Sequence, residues 1–181
     1  MSLRYAVAAG LVFFVAAGPS RGDDKSSPAG LVSKNRVQLN LTGAELIVAA
    51  AKEKAAASGW KMNVAVVDDG GHLLAFARMD GARPASISTA MTKAVSAATF
   101  RQETGPLPPK GEPDLLLNIS LQNAAAANGG KLTSLKGGVP IVVDGQVVGA
   151  VGVAGGNGEQ DAEAAKAGAA ALATALAAKK P

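Results

Sequence analysis

His72 is the only histidine in this 181-residue chain, so any imidazole chemistry must pass through it. It heads an apolar run, residues 72–77, just beyond Asp68-Asp69-Gly70-Gly71. On an alternating strand it shares a face with Leu74, Phe76 and Arg78. An imidazole there can ligate a metal ion, or can simply be a polar ring at a sheet rim. The same stretch closes on Arg78-Met79-Asp80-Gly81, a cation, a thioether and a carboxylate in a row. Arg78 and Asp80 can grip a ligand through charge-assisted hydrogen bonds, or pair with each other or across a subunit interface. Met79 offers a soft sulfur donor, or fills a gap in a core. Lys93 falls with Thr89 and Ser96 on one side of the helical segment that follows, and Gly155-Gly156 break a later strand where a backbone amide can face a ligand.

Other chemistries are excluded by what the chain lacks. Cysteine is absent, which removes disulfides, thiolate metal sites, a cysteine nucleophile and CxxCH attachment of a cofactor. Asp68 and Asp69 are adjacent, so on a strand end they point opposite ways and cannot act as a carboxylate dyad. No Ser-His-Asp set is legible. The glycines at 149, 152, 155, 156 and 158 lack GxGxxG and GK[ST] spacing. Glu159, Asp161 and Glu163 just beyond them would repel a phosphate, so a tight strand-to-helix turn is the better reading. The formal charge is +4 from 18 basic and 14 acidic residues, scattered without a basic run or interleaved aromatics, which argues against a nucleic-acid partner.

The elements that must position these residues follow from turn and periodicity signals. Residues 62–67 and 72–77 are apolar runs joined by Asp and Gly, a β-hairpin pattern. Thr42-Gly43-Ala44-Glu45 fits a capping box for a helix that ends at Gly59. A second helix opens at Pro84 and runs to Phe100, with an apolar face from Ile87 to Ala98. Residues 102–113 hold four prolines and form an extended loop, before a short helix over 114–127. Strands are expected at 131–135, 139–143 and 146–153, the last two joined by Asp144-Gly145. A final helix spans 159–179, with Asn157 and Gln160 as a capping pair. Hairpin-linked strands argue for an antiparallel sheet. Apolar residues make up 48% of the chain and aromatics 3%, so Ala, Val and Leu must build the core.

The N-terminus reads as a separate device. Arg4, an apolar run over residues 6–17 and the small residues before Asp23 make residues 1–22 a secretory signal peptide, cleaved after Gly22. The run is short for a bilayer span, the alternative being an N-terminal anchor. Cleavage removes Arg4 and Arg21, and the remaining chain is secreted or periplasmic, with no further membrane association. Residues 23–38 form a flexible leader, and residues 39–181 form the domain.

The string VAVVDDGGHLLAFARMDGA, residues 64–82, resembles the signature hairpin of the GlcG/HbpS family, also called the haem-degrading-domain family. GGVPIVVDGQVVGAVGVAGGNGEQD, residues 137–161, resembles that family's second signature, and the match extends over residues 39–178. The resemblance implies an α+β fold. This would be a three-layer α/β/α, profilin-like (GlcG-like) arrangement with a five-stranded antiparallel sheet flanked by helices. It also implies a bound haem or related tetrapyrrole. The cofactor-binding candidates are then His72, Arg78, Met79, Asp80, Lys93, Gly155 and Gly156, with His72 as the metal ligand. Many relatives carry Ser where this chain has Ala154. Relatives assemble into higher oligomers, so a homo-oligomer is expected. Haem pockets favour large apolar walls, and four Phe, one Trp and one Tyr are few for that purpose. A non-catalytic oligomeric interaction module, or an enzyme degrading haem, stands beside the binding function.

Overall fold

A computed structural model describes residues 36–127 and 129–178. Residues 1–22, expected to be a signal peptide, and most of the expected leader over 23–38 lie outside those residues. Four helices and four strands follow in the order α1 (Leu41–Ala57), β1 (Asn63–Asp68), β2 (Leu73–Arg78), α2 (Ser86–Phe100), α3 (Leu115–Ala127), β3 (Gly138–Val143), β4 (Gln146–Ala154) and α4 (Gly158–Ala178). The strands form one antiparallel sheet in the order β2-β1-β4-β3.

Alternation along the two central strands sorts the core into two layers. Val64, Val66, Val151 and Val153 point to one face, where Ile47 and Ala51 of α1 and Ala164 and Leu172 of α4 cover them. Ala65, Val67, Ala150 and Ala154 point to the other, beneath Ala90, Ala94 and Ala97 of α2. Helices therefore flank the sheet on both sides. At two points α2 also rests on bare backbone. A Cβ on Gly152 would sit 2.2 Å from the Ala90 carbonyl oxygen, and one on Gly138 would sit 2.3 Å from that of Lys93.

The sheet has four strands among the described residues, not five. Residues 131–135 form no strand because their backbone donors go to side chains. Thr133 N donates to Ser96 Oγ at 2.8 Å, and Leu135 N to Thr133 Oγ1 at 3.1 Å. Beside them, the outer edge of β3 is met by Thr104, whose N–H donates to the Gly138 carbonyl and whose Oγ1 accepts from Gly138 N.

At most turns the local residues set the backbone. Asp144 and Gly145 both have positive φ, as a two-residue hairpin requires. Asn157 Oδ1 accepts from Glu159 N and Gln160 N, while Gln160 Oε1 accepts from Asn157 N, a complete reciprocal cap. At α1 the cap moves. Asn40, not Thr42, is the N-cap, with its Oδ1 accepting from Gly43 N at 2.9 Å. The second helix begins at Ser86, with Pro84 in the preceding turn.

A cleft over a buried lysine and aspartate

The cleft lies where three elements end together. β1 begins at Asn63, which pairs with Arg78 on β2 and with Ala154 on β4, so the end of β2 and the end of β4 share one rim of the sheet. There α2 starts on one side and the turn into α4 closes the other. The result is a hollow of about 220 Å³ lined by Arg83, Ser86, Thr89, Lys93, Lys136 and the turn from Ala154 to Gly158.

Its floor is an ion pair. Lys93 reaches inward from α2, and its Nζ lies 2.7 Å from Asp161 Oδ2 and donates to the Val153 carbonyl at 3.0 Å. The two side chains are 3% and 5% exposed. Burial of two charges is tolerated when each finds its partner and further hydrogen bonds. Asp161 meets that condition, since its Oδ1 accepts from Gly156 N at 2.9 Å. The pair therefore ties α2, the end of β4 and the first turn of α4 into one unit. Space for it exists because residue 137 is glycine, where a Cβ would lie 2.7 Å from that of Asp161 and 3.0 Å from Lys93 Nζ.

The wall turns on Gly155. Its φ is +151° and a Cβ there would fall 2.5 Å from the Lys61 carbonyl oxygen, so the turn needs glycine twice over. Arg83 donates from Nη2 to the Gly155 carbonyl at 3.2 Å. Asn63 braces the same corner from below, its Nδ2 donating to the carbonyls of Arg83 and Ala154. Its Oδ1 is buried with no partner among the described residues. On the rim Lys136 pairs with Glu159, and that hydrogen bond and the lysine's charge hold the Glu159 carboxyl below its usual range.

Of the seven residues singled out from sequence, Lys93, Gly155 and Gly156 line this cleft. Arg78 and Asp80 are exposed on the same rim, line neither this cleft nor the groove described below, and make no ion pair among the described residues. Met79 packs half-buried against the α1–α4 core, with its N–H donating to the Met62 carbonyl. His72 lies at the far end of the hairpin from Arg78, in the turn just before β2 rather than within it. Its ring is 83% exposed and lies 3.3 Å from Asp68 Oδ1. No group of three or more His, Cys, Asp or Glu able to hold a metal occurs among the described residues. Sequence reasoning missed Arg83, Ser86, Thr89 as a lining residue, Lys136 and Asp161. One signal was present, the polar stripe Ser86, Thr89 and Lys93 at helical spacing.

A second hollow, a shallow groove of about 420 Å³, runs between α1 and the edge strand β2. Leu41, Val48, Leu74 and Phe76 form its walls, with Glu45 and Lys52 beside them.

Known proteins share this architecture. A model of the family described as haem degrading protein HbpS-like matches residues 39–170. Protein GlcG of Escherichia coli strain K12 is 46% identical over 120 residues, covering 66% of this chain and 84% of that protein. The crystal structure of a double mutant of Streptomyces reticuli HbpS aligns with a TM-score of 0.64 at 31% identity, over 85% of this chain and 99% of that one. The structure of a PduOC complex with haem aligns with a TM-score of 0.62 at 25% identity, over 75% of this chain and 95% of that one. By sequence and by fold, this chain belongs to the HbpS-like family.

Proposed function

We propose that this protein binds haem or a related tetrapyrrole, and that the groove between α1 and β2 receives the ring. The observation that carries this reading is the groove's lining. Leu41, Val48, Leu74 and Phe76 offer an apolar wall to a hollow of about 420 Å³, in a chain otherwise poor in large side chains. Lys52 at the groove and Arg78, next to its Ala77, supply cations for acidic substituents on the ring. His72 precedes the groove's Leu74 by two residues and is the one imidazole available as an iron ligand. Bound iron would supply the redox chemistry, while the residues named here hold and orient the ring. Family membership and the likeness to a haem-bound PduOC structure support the ligand class.

The proposal extends to an exported chain that self-associates. Residues 1–22 have the charge and apolar pattern of a signal peptide. No described helix is long and apolar enough to cross a membrane. Self-association is favoured by α3, on which Leu115 and Leu116 are each 74% exposed, with Leu117 and Ile119 also open to solvent.

A haemin titration followed at the Soret band tests the central claim. Saturable binding is expected, weakened by Leu41→Glu and by Leu74→Gln, with a changed Soret maximum in His72→Ala. A wild-type protein that gives no saturable shift overturns the reading. Loss of the bound haem spectrum with reductant and oxygen, faster than free haem decays, would move the protein to the enzyme class.

A further inference from the structure

We infer that the cleft over Lys93 and Asp161 is a binding site for a small monocarboxylate, separate from the apolar groove. Three unspent sets of donors converge there. Lys93 Nζ has three N–H groups and uses two, on Asp161 and on the Val153 carbonyl, although the side chain is 97% enclosed. Ser86 is 7% exposed and lines the cleft, yet its hydroxyl makes no hydrogen bond among the described residues. Arg83 spends one donor on the Gly155 carbonyl and has no acidic partner among the described residues, leaving most of its fork free. The third Lys93 N–H and the Ser86 hydroxyl are therefore free to bond a ligand that enters the cleft.

Charge selects the ligand. Arg83, Lys93 and Lys136 face Asp161 and Glu159, which leaves one positive charge over, enough for a monoanion. The planar guanidinium of Arg83 matches a carboxylate in a two-pronged contact. A phosphate dianion would meet the carboxylates of Asp161 and Glu159 at close range. Nor does the start of α4 act as an anion cradle, because most of its donors are spent, Gly158 N aside. Glu159 N and Gln160 N go to Asn157 Oδ1, Asp161 N to the Asn157 carbonyl, and Gly156 N to Asp161. The side chains, more than the helix end, must hold the ligand. Size agrees, since about 220 Å³ equals roughly seven waters at ~30 Å³ each. That admits an acid of a few carbons, with Ser86 and Thr89 placed to bond a second oxygen on it.

Titration calorimetry of the full chain at low ionic strength tests this with propanoate, 2-hydroxypropanoate, butanedioate and inorganic phosphate. Saturable binding of a monocarboxylate is expected, with the hydroxy acid tighter than propanoate. Arg83→Gln should weaken it by about tenfold or more, as loss of a charge-assisted contact does. Arg83→Lys should recover part of that loss, and Ser86→Ala should narrow the gap between the two acids. Arg83 is exposed and Ser86→Ala removes only an unpaired hydroxyl, so these variants keep the fold, which circular dichroism can check. No saturable heat from either monocarboxylate overturns the inference, as does an unchanged affinity in Arg83→Gln. Preference for phosphate or butanedioate overturns the monoanion class. Carboxylate binding that survives Leu74→Gln, in a protein with no Soret response, supports this site while the haem reading fails.

Discussion

Lys93 Nζ and Asp161 Oδ2 sit 2.7 Å apart at the floor of the cleft, joining α2 and α4 through residues 68 positions apart in the chain. Removing one partner leaves the other charged and enclosed. Lys93→Met should therefore cost about 3–5 kcal/mol of stability, measured by urea unfolding. The double variant Lys93→Met/Asp161→Leu should recover a large part of that loss, because apolar replacement of a whole buried pair is often nearly neutral. Recovery will be incomplete, since Asp161 also accepts from Gly156 N. A double variant no better than the single one would show that the pair itself is not the source of the effect.

Gly152 carries a second prediction. A methyl group there would press on the Ala90 carbonyl at 2.2 Å and the Ala94 nitrogen at 2.4 Å, main-chain atoms that cannot rotate aside. Gly152→Ala should destabilise the protein by about 3 kcal/mol, at the upper end of overpacking costs, and lower its melting temperature. Gly145→Ala has open space around it but a φ of +76°, so its smaller cost should come from backbone strain alone.

Asp68 should make stability fall in acid. Burial by itself would raise its carboxyl. The backbone hydrogen bonds from His72 and Gly70, together with the charge and side-chain hydrogen bond of His72, outweigh that effect and hold it below the usual range. A carboxyl depressed in the folded state contributes stability fully above its unfolded value, and loses it as pH falls through the native one. The difference in unfolding free energy between wild type and Asp68→Asn should thus be constant near neutrality and shrink below about pH 4. A difference that grows toward low pH would contradict the assignment.

Asn157→Ala should cost about 1 kcal/mol, since it strips the cap from α4. Because that cap also shapes the cleft's wall, the variant should weaken carboxylate binding, whereas loss of the Asn40 cap in Asn40→Ala should not. Thermal melts and the calorimetric titration read the two effects separately.

Much of the fold was legible because its signals are local. Asp144-Gly145 specifies its turn through positive φ, and Asn157 with Gln160 specifies a helix start within four residues. Residues 131–135 misled because Thr133 and Leu135 look like strand formers, while Ser96, on a distant helix, takes the donor a strand would need. The site was half legible for the same reason. Lys93, Gly155 and Gly156 stand out by type, but Asp161 looks like an ordinary dipole-facing acid until the fold brings it to Lys93. His72 drew notice as the sole imidazole, and rarity in a sequence says nothing about which end of a hairpin a residue occupies.

The contact between α2 and the sheet is made of short side chains, chiefly alanine, and at Gly138 and Gly152 of bare backbone, with Lys93's own carbonyl resting where a side chain on Gly138 would be. Such a joint has no soft parts to rearrange, so the height of the helix above the strands is a fixed dimension. Evolution can exchange the side chains that reach from α2 into the hollow, and with them the ligand. The frame from which they reach stays put.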